Sequence, residues 1–483
     1  MLFNSIDFAL FLPIVFLLYW FATKKKLNLQ NILLFISSYF FYACWDWRFM
    51  FLLMFSTLVD YFTGIQMCSA KNKTIKKIWL YMSVVINLGF LGFFKYYNFF
   101  IESFTDFISF FGLHINSLTL RIILPVGISF YTFHGLSYIF DIYKDKIKAE
   151  RNFIDYAVFV SFFPLLVSGP IERATHLLPQ LKKERNFDYS KASDGMRQIL
   201  WGLFKKVVIA DNCGVYADMF FSNPDNFSGS TLVLGVLLFS FQIYGDFSGY
   251  SDIAIGTAKL FGIDLLRNFA YPYFSRDIAE YWRRWHISLS SWFRDYLYIP
   301  LGGSRGSTWI KIRNIFIIFI ISGFWHGANW TFIIWGALNA LLYIPLMLSK
   351  SNRNHIEIVA KGKMFPGIKD FLRIITTFAL TSSVWIFFRA ENLEHAKNYI
   401  SIIFSFSLFK IPEFPEMGKA IVTILLTIGF FCVEWFGREQ QFAIANLGVK
   451  WKRPYRWLAY SILIFLIGMF MKSTETPFIY FQF

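Results

Sequence analysis

One histidine lies in a long stretch of the chain that carries no charged residue. Residues 314–348 read NIFIIFIISGFWHGANWTFIIWGALNALLYIPLML, without Asp, Glu, Lys or Arg, which leaves His326 as the group there that titrates near neutral pH. A straight helix of this length would run about 50 Å, whereas the hydrocarbon core of a bilayer is about 30 Å thick. We therefore expect a break beside the histidine, at Ser322-Gly323 or at Gly327, because glycine tolerates unusual backbone geometry.

The surroundings of His326 favour proton-transfer chemistry. Counted from Arg313 along a helix, the imidazole lies roughly 20 Å into the apolar run, near mid-membrane or beyond. A low dielectric holds an imidazole neutral and therefore able to accept a proton, as a general base near pH 7 must. A structural alternative stays open, in which His326 is a neutral side chain hydrogen-bonded to a neighbouring helix.

A second polar cluster precedes this run, at residues 277–303. Glu280 stands three and four residues before Arg283 and Arg284, a helical spacing at which opposite charges pair. Arginine suits phosphate, so this cluster predicts a polar funnel for a phosphate-bearing donor; a solvated interfacial helix is the alternative. The residues that we predict to act in donor or substrate binding are Arg283, Arg284, Arg294, Asp295, Asp246, Trp325 and Asn329.

Other polar groups in apolar surroundings are better explained by structure. For His134, Asp246 and Asp252 we expect internal hydrogen bonds between helices, although they could line the same cavity. Arg389 is interpreted as an interfacial anchor. The four cysteines are scattered without a CxxC pair, and the chain contains no nucleophile elbow, P-loop, Rossmann fingerprint or HExxH motif. We therefore expect neither a metal site nor a bound cofactor.

The composition indicates a membrane protein. Of the 483 residues, 56% are hydrophobic, 21% are aromatic and only 16% are charged, whereas soluble proteins average about 25% charged residues. The net charge is +16, but the basic residues cluster in short loops between apolar runs. That distribution is typical of the positive-inside rule and of contact with anionic lipid headgroups, and it argues against nucleic-acid binding.

The apolar runs predict one all-α bundle over residues 1–483 with about ten to twelve transmembrane helices. The runs lie at 8–22, 31–45, 49–65, 78–94, 122–140, 153–170, 231–245, 314–348, 371–388, 420–436 and 456–471. Residues 172–212 and 262–313 are richer in charge and predict amphipathic helices at the interface or in a protein-lined cavity. Basic residues follow the first, third and fifth runs at 24–26, 71–77 and 144–151, which places the N-terminus outside. The first two helices after residue 26 then form a hairpin whose tip, Trp45 to Arg48, lies at the outer interface.

Several strings taken together resemble the membrane-bound O-acyltransferase family, and within it the branch of bacterial polysaccharide O-acetylases such as those acting on alginate. The strings are PVGISFYTFHGLSYIFDIY, FFPLLVSGPIER, GLFKKVVIADN, YGDFSGYSDIAIG, NFAYPYFSRDIAEYWRRWHISLSSWFRDYLYIPLGG, GFWHGANWTFIIWG and FIYFQF. The resemblance covers nearly the whole chain, with a core at about 122–348. The long string around His286, followed by WHGANW, is the specific part. His134 falls where relatives often have Gln, which weakens a catalytic role for it.

The resemblance implies both a fold and an activity. The expected fold is a ring of helices around a thinned centre, with re-entrant and interfacial helices, and His326 and His286 match the two signature histidines of the family. The expected activity moves an acetyl group from a cytoplasmic thioester, acetyl-coenzyme A or another acyl donor, to an extracytoplasmic polysaccharide. The implied partner is a periplasmic SGNH-like acetyltransferase or another polymer-modifying protein, and the implied location is the inner membrane.

Four other functions stay open from the residues alone. A transporter or flippase for a polysaccharide precursor would also need polar groups within the membrane. D-alanyl transfer to teichoic acid and acylation of a protein or lipid would use the same chemistry on other substrates. A role as a passive scaffold would not explain why a single histidine lies in an uncharged apolar run.

Overall fold

The computed structural model describes residues 1–23, 26–113, 118–167, 169–449, 451–472, 476 and 478–479. Several predictions fall partly outside these residues, namely those on Lys24 and Lys25 of the first basic loop, on Ser168 of the FFPLLVSGPIER string and of the run 153–170, and on the last four residues of the FIYFQF string. Within the described residues every regular element is helical, which confirms the all-α prediction.

The helices follow one another with short connections. They are α1 (Ile6–Leu17), α2 (Leu27–Ala43), α3 (Trp47–Ser69), α4 (Lys73–Leu91), α5 (Tyr97–Phe110), α6 (Ile128–Tyr143), α7 (Phe153–Ser161), α8 (Phe163–Leu166), α9 (Ala174–Leu181), α10 (Tyr189–Leu203), α11 (Asp211–Ser222), α12 (Gly229–Leu260), α13 (Ile278–Arg284), α14 (Ile287–Phe293), α15 (Thr308–His326), α16 (Trp330–Leu348), α17 (Ile368–Arg389), α18 (Leu393–Ile403), α19 (Met417–Gly437) and α20 (Arg453–Phe470). Wider π-helical turns extend several of them, among them Leu18–Ala22, Gly92–Tyr96 and Phe204–Ala210.

Seven helical segments of the described chain are long and apolar enough to cross a membrane. They are Trp47–Ser69, Lys73–Phe110, Gly229–Leu260, Thr308–His326, Trp330–Leu348, Ile368–Arg389 and Met417–Gly437, and Ile6–Ala22 is a shorter apolar helix. This confirms a multi-pass membrane protein. Several other predicted runs form shorter helices, so length and composition identify fewer spans than the ten to twelve expected.

The described residues divide into two compact units. The first comprises mainly residues 5–192 and 258–266, and the second mainly residues 193–257 and 267–483. The expectation of a single domain and of a ring of helices stays a prediction.

In the first unit, polar side chains join helices α3, α4 and α6 inside the protein. The carboxylate of Asp60 accepts hydrogen bonds from the Ser83 hydroxyl at 2.6 Å and from the Asn87 amide at 2.8 Å. Gly135 of α6 lies so close that a Cβ there would be 2.0 Å from an Asp60 oxygen. Hydrogen bonds of this kind satisfy polar atoms that the bilayer could not.

In the second unit, the predicted amphipathic helix at 188–211 is α10 and its π-helical extension, but its lysines do not face water. Lys205 and Lys206 are 3% and 1% exposed. The Lys205 ammonium lies 2.6 Å from Asp252, and that of Lys206 lies 2.8 Å from Asp246. Buried charges need such partners, so this segment belongs to the protein interior.

Candidate active site

The uncharged run at 314–348 forms a helical hairpin in the second unit. Helix α15 ends at His326, the backbone is extended at Gly327, and α16 begins at Trp330. A Cβ at Gly327 would lie 2.0 Å from the Phe332 ring, so the turn needs glycine there. The predicted break at Gly327 is confirmed, whereas Ser322 and Gly323 stay within α15. His326 therefore lies at the end of a helix and not within one continuous span.

Aromatic rings surround the His326 imidazole, which is 3% exposed. The ring centroids of Trp325, Trp335 and Phe388 lie 4.9, 5.3 and 5.3 Å from that of His326, each in an edge-to-face arrangement. Edge-to-face contacts of this kind are favourable and orient the imidazole.

His286 lies beside His326, with 6.4 Å between the ring centroids, and its backbone is unusual. Its φ and ψ of 43° and 54° are in the left-handed region, which costs a residue other than glycine about 1–3 kcal/mol. The side chain is 1% exposed, and within the described residues neither ring nitrogen has a hydrogen-bond partner. Burial lowers the pKa of His286 to about 3, so the ring is neutral at pH 7.

Both histidines line one cavity of about 530 Å³. Its walls come from the segment 282–304, from α15 and α16 and from residues 352–356. The described residues that line it are Trp282, Arg283, His286, Leu289, Ser290, Phe293, Arg294, Tyr298, Ser304, Lys311, Ile315, Ile318, Phe319, Ser322, His326, Tyr343, Met347, Asn352, Arg353 and Ile356. This volume is within the usual range of about 300–1,000 Å³ for small-molecule sites.

The charges of the cavity are of one sign. Arg283, Arg294, Lys311 and Arg353 line it, and no Asp or Glu is among the described lining residues. Arg294 is paired with its neighbour Asp295 at 2.8 Å, yet its side chain is 62% exposed. The cavity thus combines basic side chains with apolar side chains and two histidines. Such a lining suits an amphipathic anion whose reactive end is uncharged.

The structure places the predicted donor-binding arginines in different roles. Arg283 lines the cavity, but its guanidinium donates to the backbone carbonyls of Asn352 at 2.7 Å and His355 at 2.8 Å. Arg284 is outside the lining and donates to Glu280 at 2.8 Å. Arg283 thus holds a wall of the cavity, and Arg284 is neutralised within its own helix.

The remaining predicted residues lie around the cavity or away from it. Asp295 pairs with Arg294, and the Trp325 ring contacts both histidines, with its centroid 4.9 Å from that of His326 and 6.0 Å from that of His286. The Asn329 side chain accepts from the Thr331 backbone N–H and caps α16. Asp246 is not brought to the cavity: its carboxylate pairs with Lys206 and accepts from the backbone N–H of Ile479. A donor-binding role for these residues stays a prediction.

Sequence reasoning missed Lys311 and Arg353, which join Arg294 on the cavity wall. Lys311 lies in the first turn of α15 and Arg353 follows α16, so both stand at the same end of the hairpin. The signal was present in the sequence: a basic residue flanks the uncharged run on each side, and antiparallel helices bring the two flanks together.

Comparison with known proteins agrees with this geometry. The model of the membrane-bound O-acyltransferase family matches residues 143–387. The probable alginate O-acetylase AlgI of Pseudomonas aeruginosa is 40% identical over 448 residues, which are 91% of this chain and 82% of that protein. The peptidoglycan O-acetyltransferase of Helicobacter pylori is 38% identical over 425 residues, or 82% of this chain and 78% of that protein.

A more distant relative is described as transferring a different group, D-alanine. The teichoic acid D-alanyltransferase of Bacillus subtilis is 32% identical over 232 residues, which are 45% of this chain and 57% of that protein. The extent of the matches to the acetyl-transferring relatives, together with the apolar helices, leads to one conclusion. The chain belongs to the membrane-bound O-acyltransferase family and is a multi-pass membrane acyltransferase.

Proposed function

We propose that this protein transfers an acetyl group from a cytoplasmic thioester, acetyl-coenzyme A or an acyl carrier, to a hydroxyl that serves the O-acetylation of an extracytoplasmic polysaccharide. The main support for this proposal is the cavity that the buried His286 and His326 share. Four basic side chains, those of Arg283, Arg294, Lys311 and Arg353, line the same cavity. A phosphate-bearing donor fits the cations, and its thioester, which is uncharged, fits the inner surface.

The reaction follows from the position of His326. A ring nitrogen of His326 takes the proton of the acceptor hydroxyl as the oxygen attacks the carbonyl carbon of the thioester. The C–S bond then breaks, the ester remains on the acceptor, and the thiolate leaves and takes up the proton from the imidazolium. The aromatic enclosure of His326 keeps water from competing with the acceptor.

His286 contributes to the same cavity as a neutral, hydrogen-bonding ring. Because its nitrogens have no partner in the described residues, either one is free to accept from the acceptor hydroxyl or, when protonated as the neutral tautomer, to donate to the thioester carbonyl. We assign it to orientation and stabilisation of the reacting groups, and His326 to proton transfer.

The relatives favour a polysaccharide as the final acceptor. Two of them are described as an alginate O-acetylase and a peptidoglycan O-acetyltransferase. We extend this to an exopolysaccharide or cell-wall glycan for the present chain, reached directly or through a periplasmic SGNH-like acetyltransferase. We also propose an inner-membrane location with the N-terminus outside, as the basic loops indicate.

The test is the substitution His326→Ala, with His395→Ala as the matched control outside the cavity. His326→Ala is expected to lower acetyl transfer by about 10²–10⁴-fold, the usual contribution of general-base catalysis, while the protein stays in the membrane. The readouts are ester-bound acetate on the exported polysaccharide and release of free thiol from acetyl-coenzyme A by membranes. Normal acetate content in the His326→Ala strain would contradict the role of the histidine.

The same assay separates the transporter alternative. A flippase for a polysaccharide precursor would release no thiol from acetyl-coenzyme A at any level of expression. Mass analysis of the ester would distinguish acetyl from D-alanyl groups, which the Bacillus subtilis relative is named for.

A further inference from the structure

A second cavity of about 530 Å³ lies within the second unit, between three of the helices that can span a membrane. Helices α12, α17 and α19 form its walls, with Phe274 and the segment that leads into α17. Its lining consists of Leu234, Leu237, Leu238, Phe241, Phe274, Phe365, Pro366, Phe371, Ile374, Ile424, Thr427, Ile428, Phe431, Cys432, Trp435 and Phe436. We call this cavity the apolar groove.

The groove offers its occupant almost no hydrogen bond. Among the described residues that line the groove, Thr427 is the one polar residue apart from the Trp435 indole and the Cys432 thiol. The Thr427 hydroxyl already donates to the backbone carbonyl of Thr423 at 2.8 Å. The indole N–H of Trp435 donates to the Met364 carbonyl at 2.8 Å. An alkyl chain therefore fits the groove, whereas a sugar or a nucleotide would lose its hydrogen bonds there.

The groove also opens at the protein surface. Phe365, Ile428 and Phe436 line it and are 67%, 55% and 61% exposed. On a helix that spans a membrane, an exposed apolar side chain faces lipid. A lipid tail can thus enter sideways, without passing through the protein.

Three lysines stand beside one end of the groove. Lys361, Lys363 and Lys369 flank the lining residues Phe365 and Pro366, and all three are exposed without an ion pair among the described residues. Two carboxylates lie at this end, and each has an arginine beside it: Asp370 lies 3.6 Å from Arg373, and Glu439, which accepts from the Gly362 backbone N–H at 2.7 Å, lies 4.0 Å from Arg438. This end of the groove therefore keeps an excess of positive charge.

The lysine segment is held in place against the end of α19. Arg438 donates to the carbonyls of Ala360 and Lys363, each at 2.6 Å, and its guanidinium lies 4.2 Å from the centroid of the Trp435 ring. Because Trp435 also lines the groove, the cationic end and the apolar end are parts of one continuous surface.

We propose that the apolar groove binds one acyl chain of an anionic glycerophospholipid, with the phosphate headgroup on Lys361, Lys363 and Lys369. The apolar walls take the tail out of contact with polar groups, and the lysines attract the negative headgroup at the membrane surface. The site is separate from the cavity of the two histidines, so its occupancy does not depend on the proposed reaction.

Cys432 provides a direct readout, because it lines the groove and is exposed. The full-length chain with Cys44 and Cys68 replaced by Ser is purified in a neutral detergent and treated with an uncharged maleimide. Phosphatidylglycerol is expected to slow the alkylation of Cys432 several-fold more than the same amount of phosphatidylcholine. The triple variant Lys361→Gln, Lys363→Gln, Lys369→Gln is expected to remove this difference.

The matched control removes three lysines of the first unit, by Lys71→Gln, Lys73→Gln and Lys148→Gln, and is expected to keep the preference. Equal protection by the two lipids in the parent protein would overturn the recognition of the headgroup. Protection by neither lipid would overturn binding in the groove. Since all six lysines are exposed, each variant should fold, and the retained mass of lipid per protein gives a second measurement.

Discussion

At the scale of residues, the two cavity histidines are held by different means. His326 is enclosed by aromatic rings at the end of a helix, whereas His286 depends on a left-handed backbone at the start of α14. Its neighbours hold that backbone on both sides, because Ile287 donates its N–H to the Asn268 carbonyl at 2.9 Å and Ala270 donates to the Arg284 carbonyl at 2.9 Å. A strained residue that lines a cavity, and whose ring nitrogens have no hydrogen-bond partner among the described residues, supports the role proposed for His286.

Substitutions at His286 should separate backbone strain from ring chemistry. His286→Asn is expected to fold, because Asn tolerates the left-handed region, but to lose most acetyl transfer with the ring. His286→Val is expected to lose about 1–3 kcal/mol of stability as well, since a β-branched residue is strongly disfavoured there. Thermal unfolding in detergent together with thiol release would check both. Equal stability of the two variants would contradict the effect of the backbone.

The cations of the cavity wall should act on donor affinity. Lys311→Gln and Arg353→Gln are each expected to raise the KM for acetyl-coenzyme A several-fold with little change in kcat, because they remove binding that is equal in ground and transition states. The effect should shrink at high salt, which screens exposed charges. Lys397→Gln, on α18 outside the cavity, is the control. A fall in kcat without a rise in KM would contradict the proposal that Lys311 and Arg353 bind the phosphates of the donor.

At the scale of elements, close contact between α15 and α16 positions His326. A Cβ at Gly323 would lie 2.1 Å from the Phe332 carbonyl oxygen, and one at Gly336 would lie 2.2 Å from that of Phe319. The two glycines let the helices approach backbone to backbone, as small residues do in membrane helix packing. Because Gly323 is three residues before His326, this contact determines where the imidazole lies.

Gly323→Ala should therefore reduce catalysis without touching a substrate. The added methyl group has to push α15 away from α16, and a displacement near 1 Å can cost about 10²-fold in rate. We expect a loss of about 1–3 kcal/mol in stability from overpacking. Gly429→Ala on α19, where a Cβ would meet nothing within 4 Å, is the control. Full activity of Gly323→Ala would show that the hairpin repacks without moving His326.

Arg283, which the sequence analysis assigned to phosphate, is one of three arginines that hold a connecting segment. In the segment 352–363, three backbone carbonyls accept hydrogen bonds from arginines. The carbonyl of Asn352 accepts from Arg283, that of Glu357 from Arg276 and that of Val359 from Arg438. A loop without regular structure needs donors for its buried carbonyls, and the guanidinium group has five. The cluster at 277–303 thus shapes the cavity wall in addition to charging it.

At the scale of the whole molecule, the hairpin of α2 and α3 connects the structure to its orientation in the membrane. The predicted tip is confirmed in its local fold: α2 ends at Ala43, Asp46 caps α3, and Trp47 is 63% exposed. The other end of α3 leads into the basic loop at 71–77. By the positive-inside rule we expect this second end to face the cytoplasm.

Two cysteines at opposite ends of this hairpin test the orientation. Cys44 and Cys68 are both exposed, at the tip and at the basic end. With Cys432 replaced by Ser, a membrane-impermeant maleimide should label Cys44 but not Cys68 in intact spheroplasts, and both after lysis. Labelling of Cys68 alone before lysis would reverse the proposed topology and place the N-terminus in the cytoplasm.

The membrane class, the all-helical fold, the family and a break in the helix beside His326 could all be predicted from the sequence, whereas the structure placed that break at Gly327 and not at Ser322-Gly323. Each of these depends on local composition or on a continuous string, so no knowledge of distant contacts is required. The pairing of α15 with α16 was also within reach, because a turn at glycine inside an apolar run leaves the two halves antiparallel.

Which charged groups face the cavity could not be predicted from the sequence and follows from the packing of the helices. Arg283 and Arg284 are adjacent in sequence, yet one lines the cavity and the other pairs with Glu280. Lys205 and Lys206 have the spacing of a solvated face, yet both are buried against aspartates of α12. The physical reason is that a charge in an apolar surrounding takes whichever counter-charge the fold brings near, and that partner is set by contacts between residues far apart in the chain.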